Sequence, residues 1–94
     1  MNDIVKPLVV PDIETTGLNK ETDYIIQFAA IKVDRQTGNI IDSINFYIKP
    51  TGPYNITIQA YLKHHIKPSD LEDKPTFGEL ADKILDFHML RSPP

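Results

Sequence analysis

The sequence predicts an α/β chain in which a three-stranded antiparallel meander is followed by helices. Three observations predict it. Residues 4–10 and 24–33 are apolar and rich in β-branched side chains, residues 40–48 alternate, and residues 76–89 change to helical spacing behind a capping sequence. The chain is long enough for one small domain, residues 1–94, with a thin stability margin.

The first strand is expected over residues 4–10, and a loop over residues 15–22, which hold Gly17 and Asn19. Residues 24–33, "YIIQFAAIKV", are apolar on both faces, as in a strand covered on two sides. "RQTGN" (35–39) reads as a hairpin turn in which Gly38 supplies positive φ. In residues 40–48, Ile40, Ile44, Phe46 and Ile48 face one way and Ser43 and Asn45 the other, a half-buried strand. "KPTGPY" (49–54) is a loop. Residues 56–62 are expected to form a short helix capped by Asn55, and "HHIKPSD" (64–70) a connection. Thr76 and Glu79 have the spacing of a capping box for a helix over residues 76–89. Its apolar stripe is Phe77, Leu80, Ala81, Ile84 and His88, with "RSPP" as the stop.

Composition narrows function. A 40% hydrophobic and 24% charged chain is globular rather than disordered. The absence of cysteine excludes disulfides, zinc–thiolate sites and thiol nucleophiles, and suits a cytoplasmic setting. No apolar run reaches membrane-spanning length, and the N-terminus lacks the form of a signal peptide, so no membrane association is expected. At a net charge of −3 the chain does not coat nucleic acid by general counterion release; positive charge for a polyanion must come locally, from Lys63, Lys67 or bound metal.

The chemistry-bearing stretch is "DIETTGL" (12–18). Asp12 and Glu14 occupy alternate positions of an extended segment and point to one face. Two carboxylates there repel unless a cation lies between them, and hard oxygen ligands suit Mg²⁺ or Mn²⁺. The competing reading is a pair of solvated acids at a strand end. Tyr54 and Tyr61 are candidates for base stacking or for half-buried packing, and His64 and His65 for a site or for a plain loop.

"DIETTGL" resembles the first motif of the DnaQ-like, or DEDD, 3′–5′ exonucleases, and the resemblance continues collinearly. Residues 23–50 are similar to the family's second and third strands. Residues 64–87 are similar to its His-Gly-Ile-Thr stretch and Lys-Pro-Thr-Phe helix start. The resemblance covers residues 4–87 and implies the front half of a ribonuclease H-like fold. It implies a metal-dependent 3′–5′ exonuclease with Asp12 and Glu14 as catalytic, metal-binding acids for two Mg²⁺ or Mn²⁺ ions. It also implies that Thr15, Thr16, Gly17, Leu18 and His64 bind the 3′-terminal nucleotide of single-stranded DNA or RNA, with a polymerase as partner. His65 stands where the family has Gly, and Pro11 where it has an apolar residue. The family's later motifs, His-Asn-x-x-Phe-Asp and a histidine four residues before a final aspartate, have no counterpart, and His88 does not match that histidine. The expectation is therefore an N-terminal portion that is inactive as it stands. The alternatives are a non-catalytic binding or dimerisation module of the same fold, self-associating through an exposed first strand, and an unrelated small α+β protein.

Overall fold

The structure, a computed structural model, describes residues 6–88. Its elements in order are β1 (Leu8–Thr15), β2 (Ile25–Val33), β3 (Ile40–Tyr47), α1 (Ile58–His64), α2 (Pro68–Leu71) and α3 (Phe77–His88). The strands form one antiparallel sheet in the order β1-β2-β3, the expected meander.

β1 departs from its expected bounds. It runs through Pro11 and both acids to Thr15, whereas Ile4 and Val5 lie outside the described residues. Proline cannot donate to a ladder, but among the described residues β1 has β2 as its single strand neighbour, and an edge tolerates that loss. Asp12 and Glu14 thus lie within the strand, opposite Ala29 and Gln27. A register shift after Glu14 ends the regular pairing and starts the turn.

The hairpin between β2 and β3 forms as the sequence indicates. Gly38 has φ 76°, and its N–H donates to the Asp34 carbonyl at 2.8 Å. A bulge between Lys32 and Val33 sets Asp42 opposite Lys32 and Ile40 opposite Val33. That extra residue turns Ile40 off the face it was expected to share with Ile44 and Phe46, and leaves it 63% exposed.

Register separates the two sheet faces. Val9, Pro11 and Ile13 share one with Lys32, Ala30, Phe28, Ile44 and Phe46. α3 packs there: Phe28 lines a groove with Phe77, Ala81, Ile84 and Leu85, and the Lys32 ammonium sits 4.5 Å from the centre of the Phe87 ring. α3 buries Leu80 and Phe87, with Ala81 and Ile84 half-buried beside them, a stripe rotated from the expected one, so Phe77 is 41% exposed; the His88 side chain and Met89 lie outside the described residues. The other face carries Leu8, Val10, Asp12 and Glu14.

The helices close the other end of the sheet. Thr57, not Asn55, caps α1: its extended backbone (φ −67°, ψ 157°) lets its Oγ1 accept from Ala60 N at 3.1 Å, moving the helix two residues along. His65 ends α1 in the left-handed region (φ 58°, ψ 23°), a conformation that suits the glycine of the family pattern. Its ring meets Tyr61 edge-on at 5.5 Å. The "HHIKPSD" connection contains the one-turn α2, which starts on Pro68 and is closed by Lys67 N donating to Asp70 Oδ2 at 2.9 Å. Ile26, Ile66 and Leu71 form the buried cluster beneath, with Tyr54 and Ile56 packed on it. Tyr54 is therefore a packing residue.

The capping box of α3 is present. Thr76 N donates to Glu79 Oε1 at 3.0 Å, and Glu79 N to Thr76 Oγ1 at 3.3 Å. Thr76 N and, second, the Thr76 hydroxyl, which donates to Glu79 Oε1 at 3.1 Å, hold the Glu79 carboxyl below its ordinary value. Among the described residues no helix is long and apolar enough to cross a membrane.

Candidate functional site

The chain leaves β1 at Thr15 and turns sharply, and a cleft of about 430 Å³ opens between this turn and α1. Glu14, Thr15, Gly17 and Leu18 form one wall; Thr57, Ala60, Lys63 and His64 form much of the other. The sequence-predicted residues Glu14, Thr15, Gly17, Leu18 and His64 are thus brought together, 46 or more positions of chain separating His64 from the rest. Asp12 is exposed on the same strand face as Glu14, outside the cleft lining.

The turn is held by a network centred on Thr16, which is fully buried. Its hydroxyl donates to Asp23 Oδ1 at 2.7 Å and accepts from Tyr24 N at 3.0 Å. Its backbone N–H donates to the Tyr24 carbonyl, and its carbonyl accepts from Thr57 N, both at 2.9 Å. Every polar group of Thr16 is committed, so its contribution to the cleft is positional. Thr15 Oγ1 donates to the Gly17 carbonyl at 2.7 Å. The second Asp23 oxygen accepts from Asn19 N at 2.8 Å. Gly17 is required by this packing: a Cβ there would lie 2.6 Å from Asp23 Oδ2 and 3.0 Å from Thr57 Cγ2. Leu18, next in the chain, is 96% exposed at the cleft mouth.

His64 joins the two walls. Its Nδ1 accepts from Ile66 N at 2.9 Å, so the ring proton of the neutral imidazole resides on Nε2, which donates to the Thr15 carbonyl at 3.0 Å. With both nitrogens engaged, His64 is neither a free base nor a free ligand. Lys63, one residue earlier, places its ammonium 3.9 Å from Glu14 Oε1; its side chain is 76% exposed and that of Glu14 18%.

Sequence reasoning did not single out Asp23 or Thr57. Asp23 carries the turn and Thr57 ties it to α1, and both roles depend on partners brought close only by folding. A weak local signal existed for Thr57, a hydroxyl residue three before Ala60 at a helix start.

As a metal centre, the pair offers two carboxylates on one face, hard oxygens suited to a divalent cation of the Mg²⁺ or Mn²⁺ kind. Among the described residues no group of three or more His, Cys, Asp or Glu side chains is placed to hold a metal ion. The donor set thus fits a loosely held ion whose remaining ligands come from water or substrate.

Four similarities to known proteins bear on the site. The exonuclease family profile RNase_T matches residues 9–90. DNA polymerase III subunit epsilon of Escherichia coli (strain K12) is 35% identical over 94 residues, covering 93% of this chain; the chain spans 37% of that protein's length. The crystal structure of E. coli exonuclease I in complex with a dT13 oligonucleotide superposes with a TM-score of 0.76 at 29% identity, over 88% of this chain and 18% of that one. The nuclease domain of 3′hExo, a DEDDh family member, shares the fold, with a TM-score of 0.74 at 20% identity over 90% of this chain and 44% of that one.

Proposed function

The chain belongs to this exonuclease family, whose ribonuclease H-like fold it shares, and on that premise we propose that it acts on the 3′ end of a single-stranded nucleic acid. The observation that carries this reading is the cleft itself: Glu14, Thr15, Gly17 and Leu18 converge there on His64 and Lys63 across the fold. The terminal nucleotide lies in the cleft, where the fixed turn presents the Thr15 and Gly17 backbone to its sugar and the exposed Leu18 side chain to its base. Asp12 and Glu14 are the residues that would hold the divalent cation. Mg²⁺ or Mn²⁺ bound there supplies activation of water and stabilisation of the leaving oxyanion in phosphodiester hydrolysis.

The 94 residues alone are expected to be poor catalysts. Two carboxylates are a thin donor set, and the one histidine in the cleft has both nitrogens occupied. Lack of a general base alone costs about 10²–10⁴-fold. Incubation with 5′-labelled single-stranded DNA and Mn²⁺ tests the reading. Slow shortening from the 3′ end, lost on chelation and in Asp12→Ala, supports it; 5′-directed or metal-independent cleavage contradicts it. Kinship with a polymerase subunit supports a polymerase partner and a cytoplasmic setting for this chain.

A second reading, a binding or dimerisation module, is favoured by one feature. β1 has a single strand neighbour among the described residues, and Leu8, Val10 and Ile13 on it are 42%, 43% and 40% exposed. An open apolar edge recruits a second copy, although Pro11 blunts it. Sedimentation at micromolar concentration should show a dimer that Val10→Lys weakens; a monomer throughout sinks this reading.

A further inference from the structure

Among the described residues, Lys63 is the only Lys or Arg lining the cleft. The chain as a whole carries −3, and Glu14 in the cleft wall, with Asp12 farther along the same strand face, places carboxylates in the field that a phosphodiester must enter. Nucleic-acid backbones are held by cations, and a lysine serves as a compact point charge on a flexible stem. We infer that Lys63 is a phosphate-binding residue of this cleft, contacting the backbone of the strand whose 3′ end lies against Glu14 and Leu18. The inference rests on the proposed nucleic-acid reading of the cleft.

Three observations support this role over that of a salt-bridge partner. The Nζ–Oε1 separation of 3.9 Å is at the outer edge of ion pairing, and the Lys63 side chain is 76% exposed. Such a pair contributes little to stability and is easily exchanged for another anion. Its geometry is also fixed from the chain side: α1 is tied to the turn by Thr57 N and by the neighbouring His64, which donates to the Thr15 carbonyl. The base of the lysine stem is therefore anchored while its ammonium is free to reorient. The remaining polar side chains on the α1 wall do not supply this charge: Thr57 is spent on the helix cap, and Gln59 is neutral.

The test is fluorescence anisotropy of a dye-labelled oligothymidylate on the full chain, at a fixed millimolar concentration of Ca²⁺, across a sodium chloride series. Wild type, Lys63→Met and Lys63→Arg are compared. Loss of one phosphate contact on a single strand lowers the log–log salt slope by about 0.7, which corresponds to weakening by roughly eightfold at ~50 mM salt and roughly threefold at ~200 mM. Lys63→Met should show both effects, with Lys63→Arg close to wild type. A merely structural role for Lys63 does not change the salt slope. If wild type binds and Lys63→Met binds with the same affinity and slope, the assignment of Lys63 is overturned while the nucleic-acid reading stands. If wild type shows no binding even at the lowest salt, that reading fails and takes this inference with it.

Discussion

The turn behind the cleft and the strand in front of it are built in opposite ways. Behind, Thr16 is fully buried and all of its polar groups are bonded, Asp23 accepts two hydrogen bonds, and Gly17 leaves no room for a methyl group. In front, Asp12 is exposed, Leu18 is 96% exposed, and Lys63 holds Glu14 only at 3.9 Å. Three residues separate Asp12 from Thr16, so the difference is not one of region but of what each side chain is bonded to. The groups behind have spent their hydrogen-bonding capacity inside the protein, whereas Asp12, Lys63 and the apolar Leu18 side chain face solvent, as the roles proposed for them require. Substitutions should therefore divide cleanly: changes behind the cleft cost stability, and changes in front cost binding alone.

The largest expected effect is Asp23→Ala. It leaves the buried Thr16 hydroxyl and Asn19 N without an acceptor, and hydrogen bonds to a charged group contribute about 1.5–3 kcal/mol each. Chemical denaturation should show a loss of at least ~2 kcal/mol, and a loss below ~0.5 kcal/mol would blur the division between the groups behind the cleft and those in front. Gly17→Ala comes next. Its methyl group must push the Asp23 carboxylate off Asn19 or move Thr57, and overpacking of this kind costs about 1–3 kcal/mol. Thermal melts that leave Gly17→Ala at the wild-type midpoint would show that the turn is softer than its bonding suggests.

A smaller effect belongs to α3, far from the cleft. The folded Glu79 carboxyl is held below its ordinary value by the Thr76 backbone and hydroxyl. Its stabilising effect is therefore full above the unfolded carboxylate value and is lost as pH falls through the lower folded one. Acid titration of helicity should show α3 loosening across that window. In Glu79→Gln this component of the acid response should be missing, and an unchanged response would remove Glu79 as its source.

What the sequence made legible followed from local signals. The meander, the Gly38 turn and the Thr76–Glu79 cap each depend on residues a few positions apart, and each is found. Errors arose where tertiary context overrides a local rule. The apolar run stops at Val10, yet β1 continues through Pro11 to Thr15, paired with β2. Asn55 has the composition of a cap, but Thr57 is the residue whose backbone is bonded to Thr16. The Lys32–Val33 bulge, which alternation cannot show, turned Ile40 to the other face. The cleft divided the same way. Its β1 wall was readable from seven adjacent residues, whereas Asp23 and Thr57 gain their roles only from partners that the fold delivers.

The smallest expected change in stability is at the acids themselves: the double substitution Asp12→Asn/Glu14→Gln removes like charges from exposed or lightly paired positions and should stay within ~0.5 kcal/mol of wild type. The same variant provides the most direct test of the central claim, that these two carboxylates hold a divalent cation. Mn²⁺ is titrated into isotope-labelled protein while amide line widths are followed. Broadening should begin at residues 12–18 and the facing end of α1, and it should vanish in the double variant, whose fold is intact by the stability measurement. Broadening that persists unchanged in that variant, or that is centred elsewhere in the wild type, would contradict the claim.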